Sequence, residues 1–347
     1  MKKALSVLLV LLIASFALFA GGSNETAATA SADDPYAALG KYTMMIGHSQ
    51  PADNPRSISL EKFVSDVQEK TYGHVKVQVI GNGQLGTEKE MLEQVVTGTL
   101  QGMRGGQFDF TPRLLMFTLP FLAQTRAEVT ALLHSDLAAK VCAEAEETTG
   151  TVIINLCDAG GFRQFSNNRH PITKPDDLKG LKMRTAGMET IDRTFKALGA
   201  TTTPVPYSDL YMALKTGVAD GQENPWTNVS SMKFYEVQKY FTEVNYQFHP
   251  DPFYVNAAWW NSLPEEFQTI IRECATEMGT YNDELVDELQ NDARQAVVDA
   301  GGDIYVPTEE ELQAFKDAVQ VVYQQCIDSG ILSAEELAEL QEIVANN

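Results

Sequence analysis

Residues 161–185 read GFRQFSNNRHPITKPDDLKGLKMRT. Two arginines sit near its ends, each tied to an extended segment. Arg163 follows the apolar run TVIINLCDAGG at 151–161, just past the end of one strand. Arg184 ends GLKMR, a second short strand. Pro171, Pro175 and Gly180 punctuate the connection between them. Asp176 and Asp177, just after a proline, have the character of a helix-start pair. A guanidinium is a planar fork of donors that fits a carboxylate bidentately. Two such forks brought into one cleft would grip the acid group of one ligand. The plain alternative is a pair of exposed or salt-bridged arginines, since most arginines are exposed, so the rest of the chain has to decide.

Outward from this stretch, strands and helices alternate. Extended segments are expected at 41–48, 75–80, 151–157, 201–206, 240–248, 253–259 and 303–306, with a loop and short strand over 108–121. Helical spacing runs over 56–72, 87–97, 126–148 and 189–198, starts again near Ser208 as a cap, and recurs at 233–239. Residues 264–300 have a long helical pattern, which at 1.5 Å per residue reaches roughly 50 Å and suffices to touch two domains. Helices over 309–328 and 333–344 close the chain. The alternation argues α/β architecture.

The first residues, MKKALSVLLVLLIASFALFA, place two lysines before an apolar run with small residues after it. This is the pattern of a secretory signal peptide over 1–20, too short for a comfortable membrane span. No cysteine stands near the cleavage region to carry a lipid anchor. Residues 21–40 are rich in Ala, Ser, Thr and Gly and are expected to be a disordered lead-in. About 310 residues remain of the 347, enough for two domains with a sizeable core. The formal net charge of −21 argues against nucleic acid and anionic membrane surfaces as partners. It leaves an anionic small molecule open, because local arginines govern a site. Cys142, Cys157, Cys274 and Cys326 show no C-x-x-C spacing and no histidine partners, so neither metal nor cofactor is expected. An exported compartment permits disulfides, and small buried thiols fit equally well.

Two catalytic or cofactor readings fall on the sequence itself. GNGQLG at 81–86 matches G-x-G-x-x-G between a strand and a helix, but the acidic residue expected about 20 residues further on a following strand is missing. A glycine-shaped turn capped by Gly86 or Thr87 accounts for the motif. An exported hydrolase has no G-x-S-x-G, H-E-x-x-H or supported S-x-x-K to stand on.

Several motifs come in a fixed order: GNGQLG at 81–86, FTLPFL at 117–122, GFRQFSNNRHPITKPDDLKGLKMR at 161–184, FKALGATTTPVPYSDLYMALKTGVADGQENP at 195–225, KFYEVQKY at 233–240 and WWNSLPEEFQ at 259–268. In this the chain resembles the solute-binding proteins of tripartite ATP-independent periplasmic (TRAP) transporters, the DctP-type family. The resemblance covers nearly everything after the lead-in. It implies a two-lobed periplasmic-binding fold with mixed sheets, crossing strands and a long helix across both lobes. Lobe I would hold 41–160 plus 250–290, and lobe II 161–249 plus 291–347 with the C-terminal helices. The resemblance puts the principal carboxylate-binding arginine at Arg184 and a second at Arg163. It adds Asn224 from the QENP motif, an aromatic wall at Tyr207, and His48 or its neighbours after the first strand. His249 and Phe253 fall where a crossing segment nears the cleft, and Glu189 and Gln164 are further polar neighbours. Each has a bland alternative: Asn224 as a turn residue, Tyr207 as core packing. The implied ligand is a small carboxylate, with sugar acids ahead of C4-dicarboxylates and 2-oxo acids. A nine-carbon acidic sugar is not expected, because Thr185-Ala186-Gly187 follows the main arginine. The implied partners are TRAP permease subunits, with a sensor kinase as the alternative, and the chain is expected to act as a periplasmic monomer without catalysis.

Overall fold

The computed structural model describes residues 34–347. The expected signal peptide and most of the lead-in lie outside the described residues. Residues 34–38 form a turn, and the body, 39–347, holds every element below.

Eleven strands among the described residues run in order as β1 Tyr42–Gly47, β2 Val75–Ile80, β3 Gly102–Arg104, β4 Thr151–Asp158, β5 Arg163–Asn167, β6 Lys182–Thr185, β7 Thr201–Pro204, β8 Gly221–Pro225, β9 Tyr240–Gln247, β10 Pro250–Asn256 and β11 Asp303–Tyr305. They form two mixed sheets, ordered β2-β1-β3-β10-β4 and β11-β9-β5-β8-β6-β7. In the first, β1 runs parallel to β2 and β3, while β10 is antiparallel to β3 and β4. In the second, β5 lies antiparallel between β8 and β9, and β6 runs parallel to β7 and β8.

The chain passes directly from one sheet to the other twice. Residues 159–162 carry β4 into β5, and residues 248–249 carry β9 into β10. The two crossings are hydrogen-bonded to each other, Ala159 N donating to His249 O at 2.9 Å. Gly160 turns with φ +130°, and a Cβ there would meet Thr227 Oγ1 at 2.7 Å, so only glycine fits. The Asp158 carboxylate accepts from the Gly160 and Gly161 amides at 3.3 and 3.1 Å and fixes the bend.

The long helix Glu265–Asp299 lies along both sheets. Its Asn282 donates to Asp158 O at 3.0 Å, beside the first sheet. Further on, Arg294 pairs with Glu243 on β9 at 2.7 Å and stacks over Trp226. Of the closing helices, Glu309–Asp328 packs Phe315 against Phe165 of β5, with ring centroids 6.2 Å apart. The last helix, Ala334–Ala345, returns to the first half of the chain, where Glu336 pairs with Arg113 at 2.6 Å.

Several local expectations need correction. Residues 108–121 contain no strand: Pro112–Thr118 is a 3₁₀ helix, with Pro112 at its first position where the missing N–H costs nothing. RQFSN and GQENP, expected as connections, are the central strands β5 and β8; pairing on both sides outweighs their polar composition. The FYVNAAW strand stops at Asn256, whose side chain accepts from Trp259 N at 2.9 Å and caps the helix Ala257–Asn261. Ser208 caps nothing by its side chain, since it sits inside the 3₁₀ turn Tyr207–Asp209. Thr87, by contrast, caps Glu88–Thr97 through a reciprocal bond with Glu90. In the GNGQLG turn before it, Asn82 N donates to Gln50 O and Gly83 N to His48 O, which ties the turn to the segment after β1. Asp177 accepts from the Thr173 and Lys174 amides, as the capping expectation had it. All four cysteines carry free thiols.

Helix Pro55–Lys70 buries Leu60, Phe63 and Val67 against the first sheet, and Phe63 meets Phe253 of β10 edge to face at 5.2 Å. Phe253 is fully buried in this core. Phe253→Ala should therefore lower stability by about 3–5 kcal/mol, seen as a fall in Tm.

Candidate functional site

Where the chain crosses between sheets, a cavity is lined by Gln50, Arg56, Glu88, Arg163, Arg184 and Tyr207, with Asn224 and His249 also on its wall. It has about 40 Å³ of free volume and shares Glu88, Arg184 and Tyr207 with a wider chamber of about 330 Å³. The crossings explain the gathering. Arg163 opens β5 directly after one crossing, and His249 lies within the other. Asn224 faces Gln164 across the β5–β8 pair.

The two arginines expected to act together have different partners. Arg163 is held by Glu223 of β8: its Nε and Nη2 both reach the carboxylate, Nη2 at 2.9 Å, and Nη2 also donates to Asn224 Oδ1 at 3.2 Å. Tyr246 Oη donates to the same carboxylate at 2.7 Å. Burial alone would weaken the Arg163 proton, but Glu223 more than offsets this and raises its pKa. Arg184 has no carboxylate partner among the described residues. It is 1 % exposed, its Nε donates to Val205 O at 2.8 Å, and its Nη2 is buried with no hydrogen-bond partner. Burial lowers its pKa to about 10 despite the pull of Glu223, and Arg163 adds repulsion.

A second buried ionic group completes the wall. Arg56 Nη1 lies 2.8 Å from Glu88 Oε1, and its Nη2 lies 2.9 Å from Asp251 Oδ1. Arg104 Nε reaches Asp251 Oδ2 at 2.8 Å. Burial lifts the Asp251 carboxyl, with Arg56 and then Arg104 pulling the other way. None of these four was singled out from sequence. The available signals were an arginine in the first turn of a helix after Asn54-Pro55, and Asp251 set between two prolines in an apolar strand.

Tyr207 lies at the cavity, its hydroxyl donating to Gln50 Oε1 at 3.1 Å and its ring edge-on to Phe234 at 6.1 Å. Asn228 accepts from Asn54 Nδ2 at 3.0 Å and donates to Asn224 Oδ1 at 3.3 Å, which links residues beside the first sheet to β8. His249 sits against Gly106, where a Cβ would meet its ring at 2.7 Å, and its Nε2 lies 2.9 Å from Met188 Sδ.

Four expected residues stand elsewhere. His48 packs its ring against Gly81, and its Nδ1 accepts from Gln50 N at 3.2 Å; Gln50 is the neighbour that lines the cavity. Glu189 is half exposed and pairs with Arg193 one helical turn on. Phe253 belongs to the core. Gln164 is buried and donates to Phe162 O at 3.0 Å. Among the described residues no three His, Cys, Asp or Glu side chains group as a metal site, and no helix is long and apolar enough to cross a membrane.

Comparison with known proteins places the chain in a family. The model of bacterial extracellular solute-binding protein family 7 (DctP) matches residues 46–329. The 2,3-diketo-L-gulonate-binding periplasmic protein YiaO of Escherichia coli is 31% identical over 287 residues, 81% of this chain and 85% of its own length. The C4-dicarboxylate-binding periplasmic protein DctP of Rhodobacter capsulatus is 30% identical over 303 residues, 86% and 90% of the two chains. A TRAP solute-binding protein from Desulfovibrio salexigens, solved with bound orotic acid, superposes with a TM-score of 0.83 at 29% identity, covering 88% of this chain and 99% of its own.

The buried histidines give the body an acid-side signature. Burial, with Arg56 and then Arg104 adding to it, lowers His48 from 6.5 to about 3. Burial and the nearby arginines lower His249 likewise. The unfolded chain protonates both near 6.5 while the folded chain keeps them neutral. The His48 contribution is thus intact above pH 6.5 and lost as pH falls toward 3, at about 1.4 kcal/mol per pH unit, and His249 acts in the same direction. Tm measured from pH 7 to pH 4 should fall, and His48→Gln should flatten the fall; an unchanged slope in the variant would remove His48 from the account.

Proposed function

We propose that this chain, which belongs to bacterial extracellular solute-binding protein family 7, binds a small carboxylate between its two lobes and delivers it to a TRAP membrane permease. One observation carries the reading. Arg184 is buried with an unpaired Nη2 and no counter-ion, beside a cavity lined by polar groups. An isolated buried charge is costly, and a ligand carboxylate is the partner that answers it with two parallel bonds.

The roles follow from the contacts. Val205 O holds the Arg184 fork in place, so its remaining donors are oriented before ligand arrives. Arg163 is engaged by Glu223 and positions the Asn224 amide through Oδ1; it supports the site and does not grip the ligand alone. Asn224 and Tyr207 add polar contacts to the ligand. The small cavity suits the acid end, and the wider chamber at Arg184 has room for the remainder. Closure excludes water and strengthens each contact, and ligand favours the closed form by its higher affinity for it.

Lobe I comprises 41–160 plus 250–290, and lobe II 161–249 plus 291–347, in keeping with the membership of the two sheets. The protein works in the periplasm as a monomer without catalysis, and the permease is its docking partner. Sugar acids fit best. The C4-dicarboxylate reading has the Rhodobacter relative in its favour.

A thermal-shift screen of organic acids on the purified protein tests the ligand class, because a ligand of the folded state raises Tm. Arg184→Ala should lose about 3 kcal/mol of binding to the best acid, roughly 100-fold in Kd by calorimetry. Wild-type affinity in that variant removes Arg184 from the site.

A further inference from the structure

The buried charges around the cavity do not cancel. Arg56, Arg104, Arg163 and Arg184 are each 5 % exposed or less. Three carboxylates answer them: Asp251 between Arg56 and Arg104, Glu88 on Arg56, and Glu223 on Arg163. The next buried carboxylate, Asp158, is taken by Arg126. His48 and His249 are held neutral by burial. One positive charge is left over, and it sits on Arg184.

We propose that the site selects a monoanionic hydroxy acid against dianions, and that Glu88 is the residue that sets this preference. The inference deepens the carboxylate reading above and rests on it. A second ligand carboxylate needs a second free guanidinium on the cavity wall. Arg56 is there, but Glu88 occupies its Nη1, and Asp251 its Nε and Nη2. Arg163 is closed off in the same way by Glu223. A dianion therefore buries one charge without a partner. Glu88 also lines both the cavity and the wider chamber. Its Oε1 accepts from Arg56 and from Ser49 Oγ at 2.5 Å, while its Oε2 has no hydrogen bond among the described residues. An ionised carboxylate only accepts. It takes a ligand hydroxyl and repels a ligand carboxylate, so attraction and repulsion come from one atom pair.

The test is a titration panel at neutral pH: galactonate and D-erythronate as monoanions, succinate and malate as dianions, and succinamate as the singly charged analogue of succinate. Wild type should bind its best monoanion at least tenfold more tightly than either dianion, and succinamate more tightly than succinate. Glu88→Gln keeps the shape and removes the charge, and should shift the succinate-to-galactonate ratio tenfold or more toward succinate. Glu88→Asp should keep the wild-type order. A dianion binding wild type as tightly as the best monoanion overturns the inference, as does an unchanged ratio in a folded Glu88→Gln. If that variant does not fold, the succinamate–succinate pair on wild type decides alone. Should acids bind through Arg184 with succinate preferred, only the Glu88 inference falls; should no acid bind, both fall.

Discussion

A guanidinium that neither bulk water nor a carboxylate answers is the condition the rest of this structure accommodates. Folding brings Arg184 to 1 % exposure at a real cost, since an ion leaving water recovers that cost only through a good partner. The other buried guanidiniums have theirs: Glu223 for Arg163, Glu88 and Asp251 for Arg56. Among the described residues Arg184 has only a backbone carbonyl. On the reading proposed above, the ligand-free protein carries an unfavourable term that an acid would relieve, and the stability margin of a domain is small enough for that to matter.

That charge is useful only because the backbone brings distant residues to it. The two strand-to-strand crossings lie side by side, joined at Ala159 and His249 and bent at Gly160 under the Asp158 carboxylate. They deliver Arg163 and His249 to one place from opposite directions. Asn54, Gln50, Tyr207 and Asn228 then link the two sides by hydrogen bonds among side chains. Such polar links exchange readily with water when the sides part, which suits a clamp better than a continuous apolar seam does.

Much of this was legible in the residues. Strict alternation in VKVQVI, helical spacing at Ile58, Leu60 and Phe63, and the glycine-and-proline punctuation around Arg184 gave the α/β class and most of its elements. Arg184, Asn224, Tyr207 and His249 were found through motif order and do line the cavity. β5 and β8 escaped because RQFSN and GQENP lack apolar alternation. Their strand character comes from neighbours on both sides, which local propensity does not encode. Arg56, Glu88 and Asp251 escaped for a related reason. They are far apart in sequence, and an ion pair between remote residues leaves no periodic trace. Glu189 was misleading because a polar side chain beside a site in sequence is free to turn outward, where Arg193 holds it.

The last helix bears on how the clamp moves. It is fastened to Arg113 by Glu336, while the helix before it is seated on β5 through Phe315. Between these two contacts the chain turns through the short segment around Gly330, whose φ of +76° marks a sharp reversal. This is a leash outside the hinge. The far end of the polypeptide thus ties β5 to the segment around Arg113, a link that any separation of the two would have to strain or break.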